Sequence, residues 1–373
     1  MDEKRVLESI QNPVAFGAFI EENMKTSTYQ PKWNTEMDVE YEASKSYNDV
    51  VANYAAAMLG SVIAEDAGRI KHDLPELGEI SGAISRMGDE WQLPNSLLER
   101  YYFMENRFKD RKKNLTETQK MDQYKSIVKF LFKPYELAAI APHRRIWAQY
   151  LEGLSDGQVT LSKNNNKGII WSKAIPITSN KYCLGAKDVV WNQENLKTMD
   201  VLAVLQRIED YASNMGKTVI KHRISKATAG LICQCDQFKN LIGLTHGNWK
   251  TDKTPGIGIN TINQYLENVG STGYAPFEVV NEKAPLADGS IVNLFKDGRI
   301  TAMFADKVAV LKVADPLELA DPVPNKIYTS FMDNLISQWR DTNGRYVAYE
   351  MFAFPAFKGL NDFLIMDVTK KEA

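Results

Sequence analysis

The chain has 373 residues, of which 44% are hydrophobic and 25% charged, with 45 basic and 47 acidic residues for a formal net charge of −2. This composition is typical of a soluble globular protein with one large or two modest domains. The nearly neutral charge excludes a strong general attraction to nucleic acid or to an anionic membrane.

The sequence predicts neither a targeting signal nor a disulfide framework. No apolar run is long enough for a transmembrane helix, and the N-terminal residues lack the apolar region of a secretory signal peptide. The three cysteines, Cys183, Cys233 and Cys235, are an odd set that fits a reducing compartment better than a disulfide framework.

The first 94 residues are poor in apolar residues. Residues 1–44 indicate an extended arm with one short helix, and apolar spacing predicts a helix over 46–59 that Gly60 ends. Residues 61–93 then alternate weakly, as in GEISGAISRMGDEW at 78–91. A two-stranded ribbon of this kind is marginal alone in water, so we expect it to lie on another protein surface.

The middle of the chain is predicted to be helical. Asn95 can cap one helix, and Thr116 with Gln119 forms a capping box for the next. Pro134 should interrupt this second helix, and Pro142 should bend or restart it.

Helices and strands alternate irregularly from residue 158 to 285. Two short strands flank an Asn-rich turn, and a helix is expected over 199–215. Ser225 can cap the helix that follows strand GKTVIKHRIS, and Thr261 with Gln264 forms another capping box.

The last third is richer in strands. Lys296-Asp297-Gly298 predicts a hairpin between SIVNLF and RITAMF, and a helix is expected over 327–340. Two apolar strands, RYVAYEMFAF and DFLIMDV, close the chain. The whole pattern indicates an α+β fold without a regular βαβ alternation.

Motifs for catalysis or metal binding are weak. Gly256 and Gly258 precede a helix but lack the strand and third glycine of a dinucleotide site, so a flexible loop is the better interpretation. Cys233 and Cys235 lie two residues apart on a helix and point apart, which favours core cysteines over a metal site. We therefore expect no enzyme activity, no cofactor and no metal.

The order of the parts resembles the major capsid proteins of tailed bacteriophages, the Hong Kong ninety-seven-type fold. Four stretches carry the resemblance: GEISGAISRMGDEWQLPNSLLERYYFMENRF, LAAIAPHRRIWAQYLEGLSDGQVTL, HRISKATAGLICQCDQFKNLIG, and the C-terminal pair VNEKAPLADGSIVNLFKDGRITAMF and YVAYEMFAFPAFKGLNDFLIMDV. They are similar, in this order, to that family's extended loop, spine helix, axial domain and closing strands.

The resemblance implies a division of the chain into five parts. These are an N-terminal arm and short helix (1–59), an extended loop (60–94), a peripheral domain with a long spine helix (95–195), an axial domain (196–325), and C-terminal strands that return to the peripheral domain (326–373).

The implied function is structural. The chain would form hexamers and pentamers with copies of itself in the icosahedral head of a tailed phage, assembled in the host cytoplasm. Its partners would be scaffolding, portal and decoration proteins, with non-specific contact to packaged double-stranded DNA and none to a membrane. The residues that we expect at contacts between subunits are Trp33, Arg86, Glu90, Trp91, Arg144 and Arg145.

Three alternatives stay open at this point. One is an encapsulin-like compartment of the same fold that holds an enzyme instead of a genome. A second is a tail-tube or other virion assembly protein, which the long helices disfavour. The third, from another class, is a cytosolic nucleotide-binding enzyme that uses the loop around Gly256 and Gly258.

Overall fold

A computed structural model describes most of the chain. It covers residues 7, 10–27, 29–52, 77–111, 115–163, 166, 170–175, 182–186, 189–246, 257–269, 273–286 and 289–371. Within these ranges the helices are α1 (Pro13–Met24), α2 (Trp33–Glu36), α3 (Asn95–Arg111), α4 (Glu117–Asp156), α5 (Val201–Asn214), α6 (Lys226–Gln234), α7 (Asp236–His246), α8 (Ile259–Glu267) and α9 (Leu317–Ala320).

The strands fall into two large and three small sheets. In chain order they are β1 (Met37–Tyr41), β2 (Ser46–Ala52), β3 (Leu77–Ala83), β4 (Arg86–Pro94), β5 (Gln158–Leu161), β6 (Trp171–Ala174), β7 (Tyr182–Ala186), β8 (Lys221–Ser225), β9 (Phe277–Val280), β10 (Lys283–Pro285), β11 (Ile291–Asn293), β12 (Arg299–Met303), β13 (Ala309–Ala314), β14 (Ile327–Phe331), β15 (Asn334–Arg340), β16 (Gly344–Phe357) and β17 (Phe363–Lys371).

The chain divides into two compact units. Unit 1 consists of Met1–Tyr47, Ser81–Trp147 and Leu311–Ala356, and unit 2 consists of Asn48–Ile80, Ala148–Val310 and Phe357–Ala373. These bounds differ from the five parts that the resemblance implies, and those five parts stay a prediction.

Unit 1 is built on a six-stranded sheet. Its strands run in the order β1-β13-β16-β15-β14, and β4 pairs with β16 as well. The Phe16 ring of α1 meets the edge of the buried Tyr135 ring of α4, with centroids 5.7 Å apart. The Tyr135 hydroxyl donates to Gln338 Oε1 over 2.9 Å, and the Gln338 amide donates to Ile10 O over 2.6 Å. One buried amide thus joins α4, the sheet and the N-terminal region, and it leaves fewer polar groups unsatisfied in the core.

Unit 2 is built on a mixed five-stranded sheet in the order β7-β17-β12-β8-β9. Strand β12 is antiparallel to β17 and to β8, whereas β7 and β9 pair in parallel with their neighbours. The buried faces of α5 to α8 pack over this sheet through residues such as Leu205, Ile232, Phe238 and Ile262. Burial of these side chains is the main stabilising contribution to the unit.

Two local predictions are confirmed in atomic detail. The Thr116 amide donates to Gln119 Oε1 over 3.1 Å, and the Gln119 amide donates to Thr116 Oγ1 over 3.3 Å, which is a reciprocal capping box at the start of α4. Ser225 caps α6, since its Oγ accepts from the Thr228 amide.

The prediction that Pro134 interrupts the second helix is wrong. Helix α4 continues for 40 residues with Pro134 and Pro142 inside it. Each proline removes one backbone hydrogen bond. Burial of Leu131, Tyr135 and Ile146 on either side of the prolines holds the helix in place despite that loss.

The predicted helix over 327–340 is also wrong. The segment is an antiparallel hairpin of β14 and β15. Its two turn residues, Met332 and Asp333, have positive φ angles of 49° and 63°. Such angles belong to a tight hairpin turn that usually carries Asn-Gly or Asp-Gly. Met-Asp gives no such signal.

Three further predictions are corrected. Residues 46–52 of the predicted helix over 46–59 form strand β2, which pairs with β3, and residues 53–59 lie outside the described ranges. Helix α8 begins at Ile259 with Gly258 as its N-cap, so Thr261 lies inside it. Gly298 turns the chain with φ 71°, but β12 pairs with β17 and β8 and not with β11, so no hairpin forms there.

Candidate assembly surface

The stretch GEISGAISRMGDEW separates into two strands with different partners. Residues 61–76 lie outside the described ranges. Strand β3 pairs with β2, whereas β4 pairs antiparallel with β16 from Gly344↔Pro94 to Phe352↔Arg86. The second half of the stretch therefore lies on its own subunit, and the expected ribbon does not include it.

Strand β4 has one buried and one exposed face. Met87 and Leu93 are buried against unit 1, while Arg86, Gly88, Glu90 and Gln92 are exposed. Successive side chains of a strand point to opposite faces, so this alternation places all the even-numbered residues on the exposed face. This face carries Arg86 and Glu90, two of the residues predicted to contact a neighbouring subunit.

Arg86 already has one partner in its own chain. Its Nε lies 2.7 Å from Glu350 Oε1, and the Arg86 side chain is 68% exposed. The Glu350 side chain is only 15% exposed, so water screens this pair mainly from the arginine side. Glu90 is exposed beside it, so both charges are available at the surface.

Trp91 lies on the other face of β4. Its ring stacks on that of Tyr349 with centroids 5.9 Å apart and planes 26° from parallel. The Tyr349 hydroxyl donates to Asp89 Oδ2 over 2.7 Å. Burial and this hydrogen bond raise the pKa of Tyr349, which keeps the phenol protonated. One face of the Trp91 ring is thus covered by its own chain.

Trp33 is not at the surface. It begins α2, is 2% exposed, and donates from Nε1 to Nδ1 of the buried His143 over 3.0 Å. The predicted contact of Trp33 with a neighbouring subunit therefore needs correction, because its own subunit encloses the side chain. A tryptophan in a polar segment can bury itself when its N–H finds an acceptor.

Arg144 and Arg145 lie half-buried on α4. The Arg144 guanidinium is 5.7 Å from the centre of the Tyr29 ring, a cation–π distance. The structure thus brings the arginines and Trp33 to one part of α4, through Tyr29 and His143. It places Arg86, Glu90 and Trp91 on a different element, β4.

Lys312 is a charged residue that we did not single out from the sequence. It is 1% exposed, and its Nζ lies 2.7 Å from Glu40 Oε2 and 2.5 Å from Glu42 Oε1. The signal was present as a single lysine inside the apolar strand AVLKVA, since a buried lysine requires paired charges. This cluster joins the N-terminal strand β1 to β13.

A metal centre is not found among the residues that the structure describes. They contain no group of three or more His, Cys, Asp or Glu placed to hold a metal ion. Burial lowers the pKa of His143 to about 4 and that of His222 to about 3, so both are neutral core residues near pH 7. Cys235 is buried and Cys233 is partly so, while Gly256 lies outside the described ranges. No helix within those ranges is long and apolar enough to span a membrane.

The chain is similar to known proteins in structure, but its sequence matches none of the proteins or families compared. No protein-family model matches the chain, and no curated protein is significantly similar in sequence. A solved structure of a capsid-protein candidate from a prophage of E. coli CFT073 covers 95% of this chain and 98% of its own, at a TM-score of 0.58 and 10% identity.

The chain has the Hong Kong ninety-seven-type capsid fold. Two other structures align over similar lengths with lower scores. A phage-related protein from Bordetella bronchiseptica RB50 covers 94% of this chain and 96% of its own at a TM-score of 0.47 and 8% identity. The capsid subunit of cyanophage A-1(L) covers 91% and 93% at 0.46 and 10%. The similarity to the E. coli prophage structure confirms the prediction of an α+β capsid fold.

Proposed function

We propose that the chain is a major capsid protein that assembles with copies of itself into the icosahedral head of a tailed phage. The observation that carries this proposal is the shared fold with the prophage capsid-protein candidate over nearly the full length of both chains. A fold by itself supports several functions. Here the exposed charges of β4 add a surface that can contact another subunit.

Exposed apolar side chains support a surface made for contact with other subunits. Phe103 of α3 is 64% exposed, and Leu317 of α9 is 68% exposed. In a shell, each such contact is repeated by symmetry, so modest interfaces add to a stable assembly. Arg86, Glu90, Trp91, Arg144 and Arg145 belong to this proposal as contact residues.

The proposed partners follow from this role. Hexamers and pentamers of the chain would form the shell together with scaffolding and portal proteins, and decoration proteins would bind outside. The site of action would be the virion, after assembly in the host cytoplasm. Packaged double-stranded DNA would touch the shell without sequence preference. With a net charge of −2 the protein cannot neutralise the phosphates, and counterions do so.

Electron microscopy of the expressed chain, alone and with a scaffolding protein, tests the proposal. We expect closed shells, or rings of five and six subunits. A monodisperse monomer or dimer whose melting temperature rises with added nucleotide would contradict it and favour the enzyme alternative. Particles from the natural host distinguish the compartment alternative, since a phage head contains nuclease-protected DNA and a compartment contains a cargo protein.

A further inference from the structure

The outer edge of β4 carries backbone groups that are not used in its own sheet. The Ala353 amide donates to Ser85 O over 3.2 Å, and the register pairs Met87 with Met351 and Asp89 with Tyr349. Hydrogen-bonded pairs alternate along an antiparallel ladder. The odd-numbered residues of β4 therefore bond β16, and the N–H and C=O groups of Arg86, Gly88, Glu90 and Gln92 point away from the sheet.

Both ends of β4 agree with this assignment. The Ile84 amide points outward and donates to Lys45 O over 2.9 Å, so the edge is covered up to that residue. Pro94 occupies the next even position after Gln92, and proline is tolerated on the edge of a sheet because it needs no partner for an N–H. No described residue pairs with the stretch between, and β16 is the sole strand partner of β4 in the described sheets.

The charges on this edge are complementary to themselves. Arg86 and Glu90 lie on the same exposed face, two residues to either side of Gly88. If two such strands run antiparallel with Gly88 opposite Gly88, each Arg86 lies directly opposite a Glu90. Opposite charges in directly opposed positions stabilise a strand pair, and like charges destabilise it. Edge strands that avoid pairing usually carry lysines or inward-pointing charges instead.

We propose that the edge of β4 that no described residue covers pairs with the β4 edge of a second copy of this chain, across a two-fold axis at Gly88. The partner is thus another subunit, and Arg86 and Glu90 form reciprocal intersubunit ion pairs. The present contact of Arg86 with Glu350 is made by Nε. A guanidinium carries two further nitrogens that can donate, so Arg86 can also bind Glu90 of the second copy. Gly88 has no side chain at the crossing point.

The pairing is short and belongs to an assembly. About six backbone hydrogen bonds would form over the five residues from Arg86 to Glu90, and an isolated ribbon of this size is marginal in water. Closed shells contain two-fold or local two-fold axes that repeat such a contact many times. The inference therefore rests on the proposed function for its setting, but its geometry can be tested separately.

A cysteine at the axis is the direct test. In Gly88→Cys the two introduced cysteines would face each other with Cα atoms about 5.5 Å apart, within disulfide range. Glu90→Cys is the matched control on the same exposed face, because its Cα would lie about 14 Å from its counterpart, four residues along the ladder. Both variants and the unmodified chain are assembled, oxidised mildly and run on a non-reducing gel.

We expect a covalent dimer for Gly88→Cys and none above background for Glu90→Cys or the unmodified chain. A Cβ on Gly88 lies 3.2 Å from Tyr349 O, so this variant can be poorly folded. Arg86→Cys combined with Glu90→Cys then serves instead, since those positions oppose each other across the same axis and it too should give the dimer. Folding of each variant is checked by circular dichroism.

Charge reversal gives an independent readout. Glu90→Arg should reduce the yield of assembled particles, because it places Arg86 opposite an arginine, while Glu90→Gln should reduce it less. Well-formed shells without a Gly88→Cys dimer would overturn the strand pairing and leave the proposed function intact. Conversely, a specific dimer from a chain that forms no shells would support the pairing and count against a capsid role.

Discussion

Lys312 is the most completely buried ion-paired lysine among the described residues, and its two acids differ from it in exposure. The lysine side chain is 2% exposed, whereas those of Glu40 and Glu42 are 42% and 26% exposed. The cation thus depends on the carboxylates for its solvation, but the carboxylates can turn to water. Removal of the two carboxylates should therefore lower the free energy of unfolding more than removal of the lysine.

We predict that Glu40→Gln combined with Glu42→Gln lowers the free energy of unfolding by about 3 kcal/mol, since it leaves a buried charge without a counter-charge. Lys312→Met should cost about 1 kcal/mol, because it leaves two acids that water can reach. Urea unfolding of the unassembled chain measures both. Lys120→Met, which breaks the exposed pair with Glu117, is the control and should change stability by less than about 0.5 kcal/mol. Equal losses for the two sides of the cluster would contradict this account.

His143 makes the stability of the fold depend on pH. Burial lowers its pKa from 6.5 to about 4, against a weaker opposing backbone contact with Phe331. Between those values the unfolded chain binds a proton that the folded chain does not. The stability of the protein is thus unaffected by His143 above about pH 6.5, falls as the pH drops from 6.5 to 4, and loses nothing more from this residue below that.

We expect His143→Gln to flatten this dependence by an amount on the order of 3 kcal/mol across the window. The glutamine oxygen can still accept from Trp33 Nε1, and the side chain does not titrate. The measurement is the difference in unfolding free energy between pH 7 and pH 4.5, compared with the same difference for the unmodified chain. An unchanged difference would show that folding does not lower the pKa of His143.

Among the elements, the capping box predicted at Thr116 was confirmed, whereas the one predicted at Thr261 was wrong. The Thr116 and Gln119 side chains bond each other's amides across one helical turn, so the sequence carries the whole motif. The β14–β15 turn at Met332 and Asp333 was missed because the sheet, and not local preference, imposes its positive φ angles. The strand Ser46–Ala52 was also missed because its partner, β3, lies far along the sequence, so local preference does not determine its structure.

Thr116→Ala should destabilise the start of α4 by about 1 kcal/mol, through loss of the oxygen that accepts from the Gln119 amide. Thr118→Ala is the matched control, since Thr118 is exposed within the first turn and takes no part in the cap. Thermal unfolding followed by circular dichroism compares the two. A similar change in melting temperature for both would mean that helix propensity, and not the cap, determines the effect.

For the molecule as a whole, the order of weak motifs predicted the fold class, but only some residues of the candidate site were predicted correctly to be exposed. Arg86 and Glu90 are exposed as expected, because strand alternation is visible in the sequence. The burial of Trp33 depends on His143, 110 residues further along the chain, and no pattern in one sequence reveals that pairing. The two compact units likewise interleave three segments each, which a linear division of the chain cannot represent.

Deletion of residues 66–84 tests whether the proposed extended loop joins subunits. We expect a chain that retains the far-ultraviolet circular dichroism of its core but gives no full-size shells, since β4 and the sheet of unit 1 lie outside the deletion. Sedimentation and electron microscopy measure the product. Intact shells of the normal diameter would refute a bridging role for this segment.

The cluster at Lys312 also specifies how β1 is aligned. Side chains of a strand alternate with a period of two, so a slip of one residue would turn Glu40 and Glu42 to the opposite face and leave the lysine alone in the core. An apolar pair at these positions would tolerate such a shift more easily. When many identical chains fold at once in one cell, this charge match disfavours a misaligned β1. The misaligned strand would leave Lys312 buried without a counter-charge, whether the strand belongs to the same chain or to another copy.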